Sequence, residues 1–147
     1  MPRTRAAEPA PFITVSGRHP PLARGAVTGA VRRVLAGERR RAAVSISFVG
    51  PLRMRELNRR WKDADRPTDV LAFTLRGPAG ALTGDIYICR AVALREARVR
   101  SIPVRQELLR LVVHGMLHVL GYDHPEGAAR TTSPMWRRQE RYVGRLA

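Results

Sequence analysis

LLRLVVHGMLHVLGYDH, from Leu108 to His124, holds three of the chain's four histidines, at positions 114, 118 and 124. The run leading into them is apolar enough for a helix buried on most of its sides. His114 and His118 are four residues apart, which at 3.6 residues per turn stacks them on one face. Gly121 follows the last periodic residue and can take the left-handed conformation that ends a helix. The chain then turns through Tyr122 and Asp123 and brings His124 back toward the other two. Helix, turn and returning histidine predict a three-nitrogen site for a divalent metal, zinc first, one per chain.

The spacing His-x3-His-x5-His is that of the zinc metalloprotease pattern H-E-x-x-H-x-x-G-x-x-H, with Gly121 in the glycine's place. The residue after the first histidine is the exception: Gly115 stands where the protease carries its glutamate base. Glycine has no group to accept a proton, so peptide or amide hydrolysis by that route is disfavoured. It also costs roughly 1 kcal/mol against alanine inside a helix, so something requires close approach at Gly115. Tight packing on a sheet is one reading and room for a bulky substrate the other. Three imidazoles leave a fourth position for water, the arrangement of a catalytic site rather than a closed structural one.

Outward from this stretch, the patterns alternate between helix and strand. Phe12 to Val15 reads as a short strand, and Val27, Val31, Val34 and Leu35 give a helix over roughly 22–36. Glu38 to Arg41 reads as a charged connector, a solvated turn first and an RNA-facing patch second. Val44, Ile46 and Phe48 alternate with serines in a strand over 43–49. Gly50-Pro51 opens a helix with Met54, Leu57 and Trp61 on its buried side. A turn over 63–68 precedes strand 70–75, which pairs back with strand 84–89 as a hairpin across Gly77 to Gly80. A helix over 91–100 precedes the histidine helix, whose first turn tolerates Pro103. Ser133-Pro134 is a cap and first turn for a last helix. The sum is an α/β (α+β) layer: one domain over 12–147, a mixed sheet of about four strands, about five helices and a zincin-like metal-binding helix. Residues 1–11, rich in Pro, Ala and Arg, read as a flexible tail.

Composition narrows the function. Lys plus Arg number 27 against 12 Asp plus Glu, a net charge of +15, which favours a polyanionic partner and nucleic acid above an acidic membrane. Every basic residue but Lys62 is arginine, so a compositional preference for arginine accounts for part of that excess. Cys89 is the single cysteine, which excludes an internal disulfide framework and a thiolate metal cluster. The N-terminus lacks the apolar core of a secretory signal, and no apolar run is long enough to span a bilayer, so a cytoplasmic protein is expected.

HGMLHVLGYDH resembles the bacterial YbeY family of metal-dependent endoribonucleases, and the likeness extends to LNRRWKDADRPTDVLAF (Leu57 to Phe73) and GDIYIC (Gly84 to Cys89). The resemblance implies a single α/β domain with the three-histidine site in a basic cleft. It implies single-strand-specific cleavage of RNA phosphodiesters, maturation of the 3′ end of small-subunit (16S) ribosomal RNA, and ribosome quality control. Its implied partners are ribosomal RNA, the small ribosomal subunit, a small-subunit ribosomal protein and an Era-type GTPase. The metal ligands carry over to His114, His118 and His124, with His114 and Lys62 in the catalytic set. Lys62 follows Trp61 where the family usually has an arginine, so the charge is kept and the planar two-bond grip on phosphate is lost. Arg59, Arg60 and Arg66 are the candidates for RNA contact. Thr68 and Asp69 could orient substrate or bond the metal water, or close and cap the turn, and Asp85 or Asp123 could support a ligand histidine, with a turn role open for Asp123. The alternative is a non-catalytic ribosome assembly factor with a structural zinc site.

Overall fold

The computed structural model describes residues 12–17 and 22–146. Four strands form one sheet in the order β1 (Ile13–Ser16), β2 (Ala43–Val49), β4 (Leu82–Cys89), β3 (Val70–Arg76). β1–β2 and β2–β4 are parallel, and β3–β4 is antiparallel, so the sheet is mixed. Five α-helices accompany it: α1 (Arg24–Glu38), α2 (Pro51–Lys62), α3 (Arg90–Arg100), α4 (Val104–Val119) and α5 (Pro134–Leu146). The expected strand 43–49 is matched at both ends, and the other elements shift by one to two residues.

Alternation along β2 and β4 sets the layers. Val44, Ile46, Phe48, Leu82, Ile86 and Ile88 point to one face, where they meet α1, α4 and α5 in the main core. On the other face a smaller cluster of Met54, Leu57, Leu71, Cys89 and Val92 seats α2 and the start of α3. Helix α4 packs on the sheet, α1, α3 and α5 together, which is why LLRLVVHGML is apolar nearly all round.

Two glycines let α4 lie close to the sheet. A Cβ at Gly115 would stand 2.8 Å from Cγ2 of Ile86, and one at Gly84 would stand 2.6 Å from the methyls of Val119. Gly115 therefore serves contact between helix and β4; it does not open space for a substrate. The Thr74 hydroxyl donates to the Val119 carbonyl at 3.3 Å, tying β3 to the end of the same helix.

Two readings from sequence change. Trp61 continues the apolar stripe of α2, yet it is 57% exposed: at the last turn of the helix its ring meets Phe73 in an edge contact at 5.9 Å and the Arg60 guanidinium at 5.2 Å. Glu38 is no solvated connector: it closes the last turn of α1, where tertiary hydrogen bonds from Tyr122, Tyr142 and Arg138 hold its carboxylate. The tail expected over 1–11 lies outside the described residues.

Candidate metal centre

Helix α4 ends as its sequence requires. The Tyr122 N–H donates to the Leu117 carbonyl and the Gly121 N–H to the His118 carbonyl, both at 3.0 Å, with Gly121 at φ +101°. This pair of bonds is the glycine-dependent helix stop. Asp123 Oδ1 then accepts the His124 N–H at 2.8 Å and fixes the returning turn. The three rings meet with centroids 4.6, 5.0 and 5.1 Å apart.

What makes this trio a ligand set is the second nitrogen of each ring. His114 Nδ1 lies 2.6 Å from the side-chain oxygen of Gln139, His118 Nδ1 3.0 Å from the Tyr122 carbonyl, and His124 Nδ1 3.0 Å from the Pro125 carbonyl. All three partners are acceptors, so each Nδ1 carries the proton and each Nε2 keeps its lone pair. The Nε2 atoms of His114 and His118 are 3.1 Å apart. Two lone pairs at that distance repel, and a shared cation relieves them; nitrogens on one tetrahedral zinc stand roughly 3.3 Å apart. One nitrogen from each ring lies within 4.8 Å of the others, so the residues fit a metal ion.

Protonation favours the same state. Burial pushes His114 down to about 4, a fall that the Gln139 hydrogen bond partly opposes and the neighbouring His118, Arg130 and His124 reinforce. Burial also lowers His118, with His124 adding to it and the Tyr122 carbonyl opposing it. Both rings are neutral at pH 7, as metal binding requires.

Helix α5 and the end of α1 hold this arrangement in place. The Gln139 amide cannot flip, because its nitrogen donates to Glu140 Oε1 at 3.3 Å while its oxygen faces His114. Glu140 is gripped in turn by Arg110 through two bonds of 2.7 and 3.1 Å, and Arg110 reaches Glu107 at 3.0 Å. At the other side, Tyr122 donates to Glu38 at 2.6 Å, and Glu38 also takes Tyr142 and Arg138. Burial alone would raise the Glu38 pKa; the two hydroxyls and the guanidinium outweigh it, and its carboxyl sits below the usual range.

The three rings line a cavity of roughly 440 Å³. Asn58, Lys62, Thr68, Asp69, Glu126 and Arg130 are on its wall. Asn58 is buried and donates to the Arg66 carbonyl at 2.8 Å, which pins the loop after α2. Asp69 closes the turn into β3: Oδ1 accepts the Val70 N–H at 2.8 Å and its carbonyl the Cys89 N–H at 2.9 Å. The Nε atom of Arg130 is buried without a hydrogen-bond partner, and its guanidinium lies 5.8 Å from the Trp136 ring.

Asp85 is not part of this site. It accepts from Ser45 at 2.7 Å on the opposite face of the sheet, in a groove with Trp61 and Phe73. Asp123 Oδ1 accepts the His124 backbone N–H and no ring proton, and the Tyr122 hydroxyl donates to Glu38. The supports of the histidine rings are Gln139 and two carbonyls. Arg59, Arg60 and Arg66 are exposed and do not line the cavity; the cations that do are Lys62 and Arg130. Sequence reasoning missed Gln139, Asn58 and Arg130. An amide on the buried stripe Met135, Gln139, Tyr142, Val143 was the available signal for the first.

A profile of the family described as Endoribonuclease YbeY matches residues 22–147. The chain belongs to that family. A protein of an Anaeromyxobacter species carrying the name Endoribonuclease YbeY is 42% identical over 121 residues, 79% of this chain and 63% of the relative. The protein of that name from Anaeromyxobacter dehalogenans is 41% identical over 122 residues, 80% of this chain and 63% of its own length. The chain thus spans less than two thirds of the length of these YbeY relatives. A solution structure of a Thermotoga maritima protein superposes with a TM-score of 0.63 at 29% identity, covering 92% of this chain and 89% of that one. Among the described residues no helix is long and apolar enough to cross a membrane.

Proposed function

We propose that this protein is a metal-dependent endoribonuclease of single-stranded RNA, acting in maturation of the 3′ end of small-subunit ribosomal RNA and in ribosome quality control. The observation that carries the reading is that one nitrogen from each of three histidine rings lies within 4.8 Å of the others beside an open, cation-walled cavity in a chain of the YbeY family. A zinc ion held by His114, His118 and His124, one per chain, supplies Lewis acidity toward water and toward a phosphoryl oxygen. The opening matters, since a closed four-ligand site would leave nothing to react.

The chain's own side chains do the rest. Lys62 and Arg130 offer positive charge where a phosphate enters and where charge builds as the phosphodiester is attacked. Gly115 brings no base to the helix, so the proton acceptor comes from the wall. Asp69 and Asp123 already accept backbone N–H groups, and Glu126 is the remaining carboxylate there. Arg59, Arg60 and Arg66 bind the RNA backbone outside the cavity through charge alone. The single domain over 12–147 works in the cytoplasm with the small ribosomal subunit, a small-subunit ribosomal protein and an Era-type GTPase as partners. The net charge of +15 and the family's implied role support this.

The test pairs metal content by elemental analysis with cleavage of single-stranded RNA, for the wild type, His114→Ala and His118→Ala. Loss of metal and cleavage together is the expected result. Cleavage retained by a metal-free variant overturns it. A metal-replete wild type that binds the small subunit tightly and cuts nothing would instead favour the non-catalytic assembly factor.

A further inference from the structure

Behind the histidine cavity, across the end of α2 and β3, lies a second groove of roughly 280 Å³. The chain has 3 Phe, 2 Trp and 3 Tyr, and one of each kind meets here. Trp61 stands edge-on to Phe73 at 5.9 Å, and Phe73 edge-on to Tyr87 at 6.1 Å. Leu75, 70% exposed, extends the apolar wall. Exposed aromatic surface costs solvation, and among the described residues no element covers Trp61, which is 57% exposed.

Cations flank the rings. The Arg60 guanidinium lies 5.2 Å from the Trp61 ring centre, and Lys62 Nζ lies 6.0 Å from that of Phe73. Lys62 also lines the histidine cavity, so one ammonium group stands between the two sites. The strand β3 serves both sites in turn: Val70, Leu71 and Ala72 line the cavity, and Phe73, Thr74 and Leu75 line the groove. On the groove floor Asp85, held by Ser45, can accept a hydrogen bond from a base amino group.

We propose that this groove is a nucleobase subsite, in which Trp61, with Phe73 and Tyr87, stacks an unpaired base of the RNA strand whose backbone passes Lys62 into the histidine cavity. The proposal rests on the endoribonuclease reading for its choice of ligand. Flat aromatic faces beside arginine and lysine match a ligand with π-faces and an anionic backbone, which is the recipe of single-strand RNA platforms. A basic protein segment would meet Arg60 and Lys62 and a chain of net charge +15, and is disfavoured.

The experiment uses a 2′-O-methyl octanucleotide, which resists cleavage, and an abasic sugar-phosphate octamer of equal charge. In a Trp136→Phe background Trp61 is the sole tryptophan. Its fluorescence should be quenched by the octanucleotide and not by the abasic chain. Trp61→Ala should weaken octanucleotide binding about 5- to 150-fold, leave abasic binding unchanged, and be largely rescued by Trp61→Phe. Equal affinity of the wild type for both octamers, or octanucleotide binding unaltered in Trp61→Ala, overturns the proposal and leaves the groove to a protein partner. Cleavage of unmodified RNA is scored separately. Quenching without cleavage by metal-loaded protein removes the nuclease reading and supports the groove, whereas cleavage without quenching removes the groove alone.

Discussion

Gln139→Leu should separate the histidine site from the fold that carries it. The substitution keeps most of the side chain's volume and removes the oxygen that His114 Nδ1 faces at 2.6 Å. Without that acceptor a buried N–H is left unpaired, which costs about 1–3 kcal/mol in the metal-free protein. The tautomer with its proton on Nε2 is no longer excluded, and in that form the ring cannot ligate. Losing such a support lowers metal affinity about 10- to 100-fold, or ~1.4–2.8 kcal/mol. His118 and His124 keep their backbone acceptors, so the loss stops at one arm of three. Competition for zinc against a chromophoric chelator at pH 7 gives the affinity, and urea unfolding in excess chelator gives the stability of the metal-free protein. Gln139→Glu keeps an acceptor oxygen for His114 but replaces the amide donor to Glu140 with a second carboxylate, so it should bind zinc more tightly than Gln139→Leu at a cost in stability. Affinity within twofold of wild type in Gln139→Leu, with stability reduced, would show that Gln139 only packs and would refute the argument.

Acid should weaken the metal-free protein in a defined window. His114 has a folded pKa of about 4 against an ordinary 6.5, so below pH 6.5 the unfolded chain binds more protons than the folded one. The stability is fully present above pH 6.5 and is lost as pH falls through 4, by about 3 kcal/mol in all, read by urea midpoints of chelated protein. Gly115→Ala gains helix propensity but drives a Cβ into Ile86, and the overpacking of about 1–3 kcal/mol should win, lowering Tm by several degrees in a thermal melt. Lys62→Ala should lower kcat/KM on single-stranded RNA by about tenfold, ~1.4 kcal/mol of transition-state stabilisation, and Lys62→Arg should match or exceed the wild type by adding a two-bond phosphate grip. Equal rates for all three Lys62 forms would remove that side chain from the site.

The parts of the fold that could be read from sequence are those with strict local periods. Alternation in AVSISFV and the four-residue step between His114 and His118 needed no tertiary knowledge, and Gly121 marked the helix end through backbone conformation alone. The family likeness lay in contiguous motifs and was legible for the same reason. What stayed hidden depended on residues far apart in the chain. Glu38 looked solvated because its partners are 84 to 104 residues away, and Gln139 is 25 residues from the ring it orients. Trp61 obeyed the helical period and is still 57% exposed, since the period of α2 says nothing of what packs against its last turn. Asp85 sits near the histidines in the motif order but on the reverse side of a strand, where alternation sends it.

One carboxylate near the chain's beginning and one helix near its end finish the histidine site. Glu38 steadies the turn that delivers His124, and α5 supplies both Arg138 to Glu38 and Gln139 to His114. A chain still being synthesised holds the first two imidazoles well before α5 has left the translating ribosome. Until then His114 lacks the acceptor that fixes its tautomer, and Glu38 lacks its bonds from Arg138 and Tyr142. The site is therefore complete only once α5 has packed against α4.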